Sequence, residues 1–229
     1  MTRTKLAAVF ALALCLAPCA AQENGAASNR AKDFRQARRV RAEAGPERAA
    51  FEFEADGFSY HVSANGNGRR TKGDRTRRFN LRLDGRDFIE GFYFAVHEGD
   101  LLLVCGVRDA EAGAGLVVRL EQPSMRSLWR QHVPALNVGE PLRAGHDLYL
   151  TGADFVARLD LRTGEYVWQH EDLRDDADAA LGAVAPGDFD SFEVPELSGD
   201  AVLFRGRAVY NRRRTLVVNR KTGKVIRVE

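Results

Sequence analysis

Cysteine is scarce in this 229-residue sequence, which has three. Two of them, Cys15 and Cys19, lie within the first 21 residues. Cys105 is then alone in the body of the chain, which excludes an internal disulfide framework there. Net charge is also small, at a formal +2, and Arg3 and Lys5 near the start account for it. The remainder is neutral overall and lacks the long-range field that gathers nucleic acid or anionic lipid. The apolar stretch Leu6 to Leu16 is too short to span a bilayer. Five histidines are present, at 61, 97, 132, 146 and 170, without the H-x-H or H-x-x-x-H spacing that places two ligands on one face.

What is present begins with an export signal. Arg3 and Lys5 form a charged start, Leu6 to Leu16 an apolar run, and Cys19-Ala20-Ala21 a small-residue cleavage site, so residues 1–21 read as a signal peptide. A membrane tether is expected only if Cys19 is acylated, and Pro18 fits that alternative poorly. Residues 22–50 hold few large apolar side chains and many arginines, the composition of a flexible basic N-terminal arm. A short helix over Arg30 to Ala44, ended by Gly45-Pro46, is expected within it.

From residue 51 to 229 short apolar stretches alternate with Gly, Asp and Asn, the pattern of successive strands and tight turns. A weak repeat organises them. Arg119-Leu120-Glu121 leads to Trp129 as Arg158-Leu159-Asp160 leads to Trp168, without a gap. A period near 40 with paired strands predicts an all-β, propeller-like array of about three to four antiparallel four-stranded blades, forming a small or incomplete ring. Three units start their second strands at Asp100, Asp147 and Asp200. Third strands follow at Leu116 to Leu120, Phe155 to Leu159 and Thr215 to Val218, and fourth strands at Ser127 to Gln131, Tyr166 to His170 and Val225 to Val228. A fainter unit has strands at Phe51 to Phe53, Phe58 to Val62 and Phe79 to Leu83, where Arg82-Leu83-Asp84 echoes the repeat. There Asn65 to Arg78 reads as a long exposed hairpin tip.

The sharpest element is Arg158-Leu159-Asp160-Leu161-Arg162-Thr163-Gly164-Glu165-Tyr166-Val167-Trp168. Asp160 can accept hydrogen bonds from turn amides, Gly164 can take the left-handed conformation that closes the turn, and Trp168 offers a large face to seal one sheet on the next. Asn219 to Ile226 repeats the turn through Thr222-Gly223, with Arg227 where the tryptophan stood. The segment resembles the repeat of the quinoprotein-type, PQQ-like β-propellers, A-L-D-x-x-T-G-x-x-x-W, through Leu159, Asp160, Thr163, Gly164 and Trp168. Trp129, Thr222 and Gly223 are the remains of two eroded copies. The resemblance implies a propeller in which these residues are structural. Some members of that family are dehydrogenases holding a quinone and calcium beneath an adjacent cysteine pair; others are scaffolds, such as the propeller lipoprotein of outer-membrane barrel assembly. This sequence has neither the length nor the cysteines of the enzymes, so it is placed with the non-catalytic branch.

The remaining constellations have plain structural readings. Cys105 sits in an apolar run and is expected to be a buried thiol. The acidic loop 171–190 could gather oxygen ligands for calcium but lacks the glycine and terminal glutamate of a helix-loop-helix site. Of the two basic clusters, Arg69 to Arg78 and Arg212 to Arg214, the first lacks the interleaved aromatics of single-stranded nucleic-acid platforms. They read as solvated tips or as contacts for an acidic protein or anionic envelope polymer. No catalytic, cofactor or metal residue is assigned, and no nucleic-acid partner. The expected function is that of a periplasmic or secreted, non-catalytic interaction or scaffold protein that binds a protein or envelope polymer through loops such as Arg108 to Gly115 and Asp172 to Ser191. The alternatives are a small periplasmic hydrolase or calcium-dependent enzyme using loop 171–190, and an inhibitor or immunity-type protein.

Overall fold

The computed structural model describes residues 33–40, 49–84, 87–108, 113–171, 173, 189–208 and 212–229. These contain β1 (Arg35–Gln36), β2 (Arg38–Val40), β3 (Ala50–Ala55), β4 (Phe58–Ser63), β5 (Asn67–Lys72), β6 (Arg75–Asn80), β7 (Phe88–His97), β8 (Asp100–Arg108), β9 (Gly113–Leu120) and β10 (Ser127–Val133). They continue with β11 (Leu142–Ala144), β12 (Asp147–Gly152), β13 (Phe155–Asp160), β14 (Tyr166–His170), β15 (Phe189–Phe192), β16 (Glu196–Ser198), β17 (Ala201–Ala208), β18 (Arg212–Asn219) and β19 (Val225–Val228). The strands form four antiparallel sheets: β2-β3-β4-β5-β6, β1-β7-β8-β9-β10, β11-β12-β13-β14, and β15-β17-β18-β19 with β16 also on β17. We refer to these as the first to fourth sheets. They make up a propeller-like, all-β array.

Three apolar clusters lie between successive sheets. Phe51, Phe53, Tyr60 and Val62 of the first sheet meet Phe92, Phe94, Leu101 and Leu103 of the second. The second sheet turns Leu102, Val104 and Val117 to Leu148, Leu150 and Phe155 of the third. The third sheet turns Tyr149 and Val156 to Val202, Phe204 and Leu216 of the fourth. The position of a sheet in the array is written in its second strand. In β8 and β12 both faces are covered, so Leu101-Leu102-Leu103-Val104 and Leu148-Tyr149-Leu150 are continuous buried runs. In β17 and β4 only one face is covered, and burial alternates with period two. Among the described residues no cluster joins the first sheet to the fourth.

Two expectations are corrected here. The helix expected over Arg30 to Ala44 is replaced, where that segment is described, by β1 and β2. β1 pairs with β7 and β2 with β3, so residues 35–40 bridge two sheets. Phe34 is buried between the second and third sheets and Ala37 between the first and second, which gives this arginine-rich segment the apolar anchorage it needs. The segment Asn65 to Arg78 is not a hairpin tip but holds β5 and most of β6. The true third strand of the first sheet is therefore β5, and Arg82-Leu83-Asp84 lies beyond β6, where its likeness to the repeat has no structural counterpart. The expected signal peptide, residues 1–21, lies outside the described residues.

Candidate functional site

The repeat residues fasten one sheet to the next. Gly164 and Gly223 take φ of 77° and 76° in turns that close identically. The glycine amide donates to Asp160 O in one and to Asn219 O in the other, at 2.8 and 2.9 Å. Trp129 lies against Gly164, and Trp168 against Gly223, so closely that a Cβ on either glycine would stand 2.5–2.6 Å from the indole. The Trp129 indole N–H donates to Leu161 O (3.1 Å) and that of Trp168 to Arg220 O (3.0 Å). Side chains close the turns. Asp160 accepts from the Arg162 amide and guanidinium, which hold its carboxyl down at about 2. Asn219 accepts from the amides of Lys221 and Thr222, while Thr163 and Thr222 each accept from the amide two residues on. Leu159 is buried in the core between the second and third sheets.

Sequence reasoning missed the partner of each tryptophan. Arg119 on β9 donates to the same Leu161 O (2.9 Å) and pairs with Asp100 (2.8 Å). Arg158 on β13 donates to the same Arg220 O (2.9 Å) and pairs with Asp147 (2.9 Å). One carbonyl thus receives an indole and a guanidinium, using both lone pairs. Between the first and second sheets Arg70 on β5 does the same work, donating to Gln122 O and to Pro123 O (3.3 Å). Its cation lies over Phe58 at 4.2 Å, where the other sheets supply an aspartate. No tryptophan arrives there, and the glycine position is Met125, at φ 59°, whose buried side chain joins the core. On the fourth sheet the register puts Ala201, Val217 and Arg227 where the third has Asp147, Arg158 and Trp168. Asp200 is one residue out of step with Asp147.

A titratable cluster sits at one end of the seam between the second and third sheets. Ligand atoms of His97, Glu98 and His146 lie within 4.8 Å of one another, the spacing of a metal-binding triad. The arrangement does not suit a cation. Arg143 donates to His97 Nδ1 (2.7 Å), so the neutral ring carries its proton on Nε2, the atom that faces Glu98 at 3.7 Å. Arg119 occupies Glu98 Oε2 at 3.2 Å. Burial, and then Arg143, hold the His97 pKa below the ordinary value. Hydrogen bonding from Arg119 holds Glu98 low as well. We therefore describe the cluster as a charge network that keys the seam.

Among the described residues no other sheet covers the outer face of the first sheet. A depression of about 910 Å³ is lined by Arg38, Glu52, Glu54, Ser59, His61, Arg69, Thr76 and Arg78 with the edges of Phe53, Tyr60 and Thr71. Arg38 pairs with Glu52 at 2.6 Å, and that contact, followed by His61, holds the Glu52 carboxyl low. On the adjoining β5–β6 hairpin Arg69, Lys72, Arg75, Arg77 and Arg78 are exposed, and no described carboxylate pairs with any of them. On the fourth sheet Arg205 pairs with Glu196 and Arg227 with Glu229, while Arg207 and Arg213 are exposed and stand opposite one another, so the first sheet differs in the number of such cations, not in having them.

Cys105 is fully buried and its thiol is pushed far up by desolvation, so it offers no thiolate. Most of loop 171–190, and the tip of loop 108–115, lie outside the described residues. No protein-family profile and no curated protein sequence matches the chain. Among solved structures it is similar to quinohemoprotein alcohol dehydrogenase ADHIIG from Pseudomonas putida HK5, at 14% identity over 86% of this chain and 36% of that one, TM-score 0.49. It is also similar to the AfRom2 CNH domain, at 13% identity over 85% and 71%, TM-score 0.48, and to the computationally designed Ika8 protein, at 10% over 85% and 61%, TM-score 0.47. The chain spans about a third of the length of the dehydrogenase. Likenesses this distant transfer no activity, and the propeller-like description rests on the order and stacking of the four sheets.

Proposed function

We propose that this protein is an exported, non-catalytic scaffold of the PQQ-like propeller type, and that it binds another macromolecule through the outer face and hairpin of its first sheet. The observation that carries this reading is the contrast in charge pairing. Inside the seams, arginines are matched to aspartates, carbonyls or aromatic rings, whereas the first sheet holds four exposed arginines, at 69, 75, 77 and 78, without a described carboxylate or aromatic ring, beside an open polar depression. Unmatched surface charge of this density costs the free sheet some stability through self-repulsion, and it supplies steering and register to a complementary partner. A non-catalytic role accords with a thiol that cannot ionise and a buried histidine whose ring is held by Arg143.

The test is site-specific photo-cross-linking in cells that express the full chain. A photoreactive residue at Thr76 should give one discrete adduct that a residue at Glu165, on a turn of the third sheet, does not. Arg69→Glu with Arg78→Glu should remove it. Equal labelling from both positions, or none from Thr76, would overturn the reading.

A further inference from the structure

From the β5–β6 hairpin we infer the partner's chemistry: an acidic, extended polypeptide segment that adds as a strand along β6. The inference rests on the interaction surface proposed above. β5 and β6 pair Arg69 with Arg78, Arg70 with Arg77, and Lys72 with Arg75. Like charges directly opposite one another destabilise a sheet, and here three such pairs occur within six residues of each strand. Arg70 is compensated by the Gln122 and Pro123 carbonyls and by Phe58, and Lys72 lies over the same ring at 4.8 Å. The other four, Arg69, Arg75, Arg77 and Arg78, have no described carboxylate or aromatic ring and are open to anions from a partner.

A charged edge also discourages two copies from pairing edge to edge. That role does not account for β6. The strands β10, β14 and β19 are last in their own sheets exactly as β6 is in the first. Yet β10 and β19 carry one arginine each, at 130 and 227, and β14 carries none. Three of the six residues of β6 are arginines.

The outer side of β6 leaves main-chain donors and acceptors unpaired within the sheet, which an extended peptide can satisfy. The register puts Arg75 and Arg77 on one face of the ribbon and Arg78 on the other. On each face of a strand, side chains recur about every 7 Å. A strand with carboxylates on both faces would therefore meet all three arginines while hydrogen-bonding along the edge. A polyanion without a peptide backbone could match the charges only.

The experiment measures fluorescence anisotropy of a labelled peptide of about eight residues, rich in Glu and Asp, titrated with the full chain at about 0.15 M salt. Two competitors accompany it, the same sequence N-methylated at alternate backbone nitrogens, and inorganic polyphosphate. The unmodified peptide should bind, and the N-methylated form should compete about tenfold less well. Arg75→Glu with Arg77→Glu should weaken binding about tenfold or more, and Arg75→Gln with Arg77→Gln by less, with unchanged thermal melting showing that both variants fold. Equal competition by the N-methylated peptide, or displacement by polyphosphate at equal charge, overturns strand addition. Absence of binding by the acidic peptide overturns the inference. A cross-link from Thr76 that persists in that case leaves the broader reading standing.

Discussion

The seam between the first and second sheets and the two seams that follow solve one problem with different parts. All three send a guanidinium from a third strand to a turn carbonyl of the next sheet: Arg70 to Gln122, Arg119 to Leu161, Arg158 to Arg220. In the later seams the arginine is held by an aspartate, and an indole lies flat on a glycine. In the first, the arginine lies on Phe58, and at the position of the glycine stands Met125, whose side chain is buried in the core. The shared element is the carbonyl and its turn. Tryptophan and glycine are a matched pair that is replaced as a pair, and the cost of positive φ at Met125 is offset by the burial of its side chain.

The largest way to break this comparison is to separate the pair. Gly164→Val and Gly223→Val each force a β-branched residue to positive φ and drive it into an indole, and each should cost about 4 kcal/mol. Glu165→Gln and Lys224→Gln, on the exposed next positions, should stay within about 0.5 kcal/mol. Chemical denaturation of the four variants checks both. Trp129→Ala or Trp168→Ala should cost about 3 kcal/mol, the lower part of the range for large aromatic residues because both rings are only partly buried. If Met125 and Trp129 fill equivalent slots, Gly164→Met should be milder in a Trp129→Ala background than alone, which a double-mutant cycle reads directly.

Smaller effects should come from the arginines. Arg119→Met strands Asp100, whose side chain is 15% exposed, and should cost about 3 kcal/mol. Arg70→Met strands only carbonyls and should cost about 1–2 kcal/mol. Equal costs would remove the distinction between the aspartate and the aromatic support. The smallest effect is that of pH, and it belongs to the second seam. His97 is 4% exposed, faces Arg143, Arg119, Glu98 and His146, and has a lowered pKa. The folded state resists its protonation, so its stabilising contribution is complete above the unfolded value near 6.5 and declines as pH falls below it. The melting temperature should drop by a few degrees between about pH 7 and 5, and by less in His97→Gln.

Much of the array was legible in the sequence. Strands of the second and third sheets announced themselves as continuous apolar runs because both of their faces are covered, and the turns at Gly164 and Gly223 by their Thr-Gly signature. β5 was not legible. Its buried positions are Gly68 and Arg70, so Asn67–Lys72 carries no apolar alternation and reads as a loop. Residues 35–40 were misread for a related reason, since their anchorage comes from Phe34 and Ala37 alone. The arginines at 119 and 158 were visible as part of a repeat, but their acceptor is a backbone oxygen, which no side-chain pattern records. The six cations of β5 and β6 were seen as a cluster. That they face one another across a ribbon required the register.

The fourth sheet lacks the set of side chains that fastens the second and third. With Ala201, Val217 and Arg227 in the three places where Asp, Arg and Trp occur on the third, it cannot clasp a further sheet by the means used twice before it. The fastenings that do exist are saturated within the molecule: Leu161 O and Arg220 O each take an indole and a guanidinium, and Gln122 O takes Arg70, so each of these turns is a lock whose key is already in place.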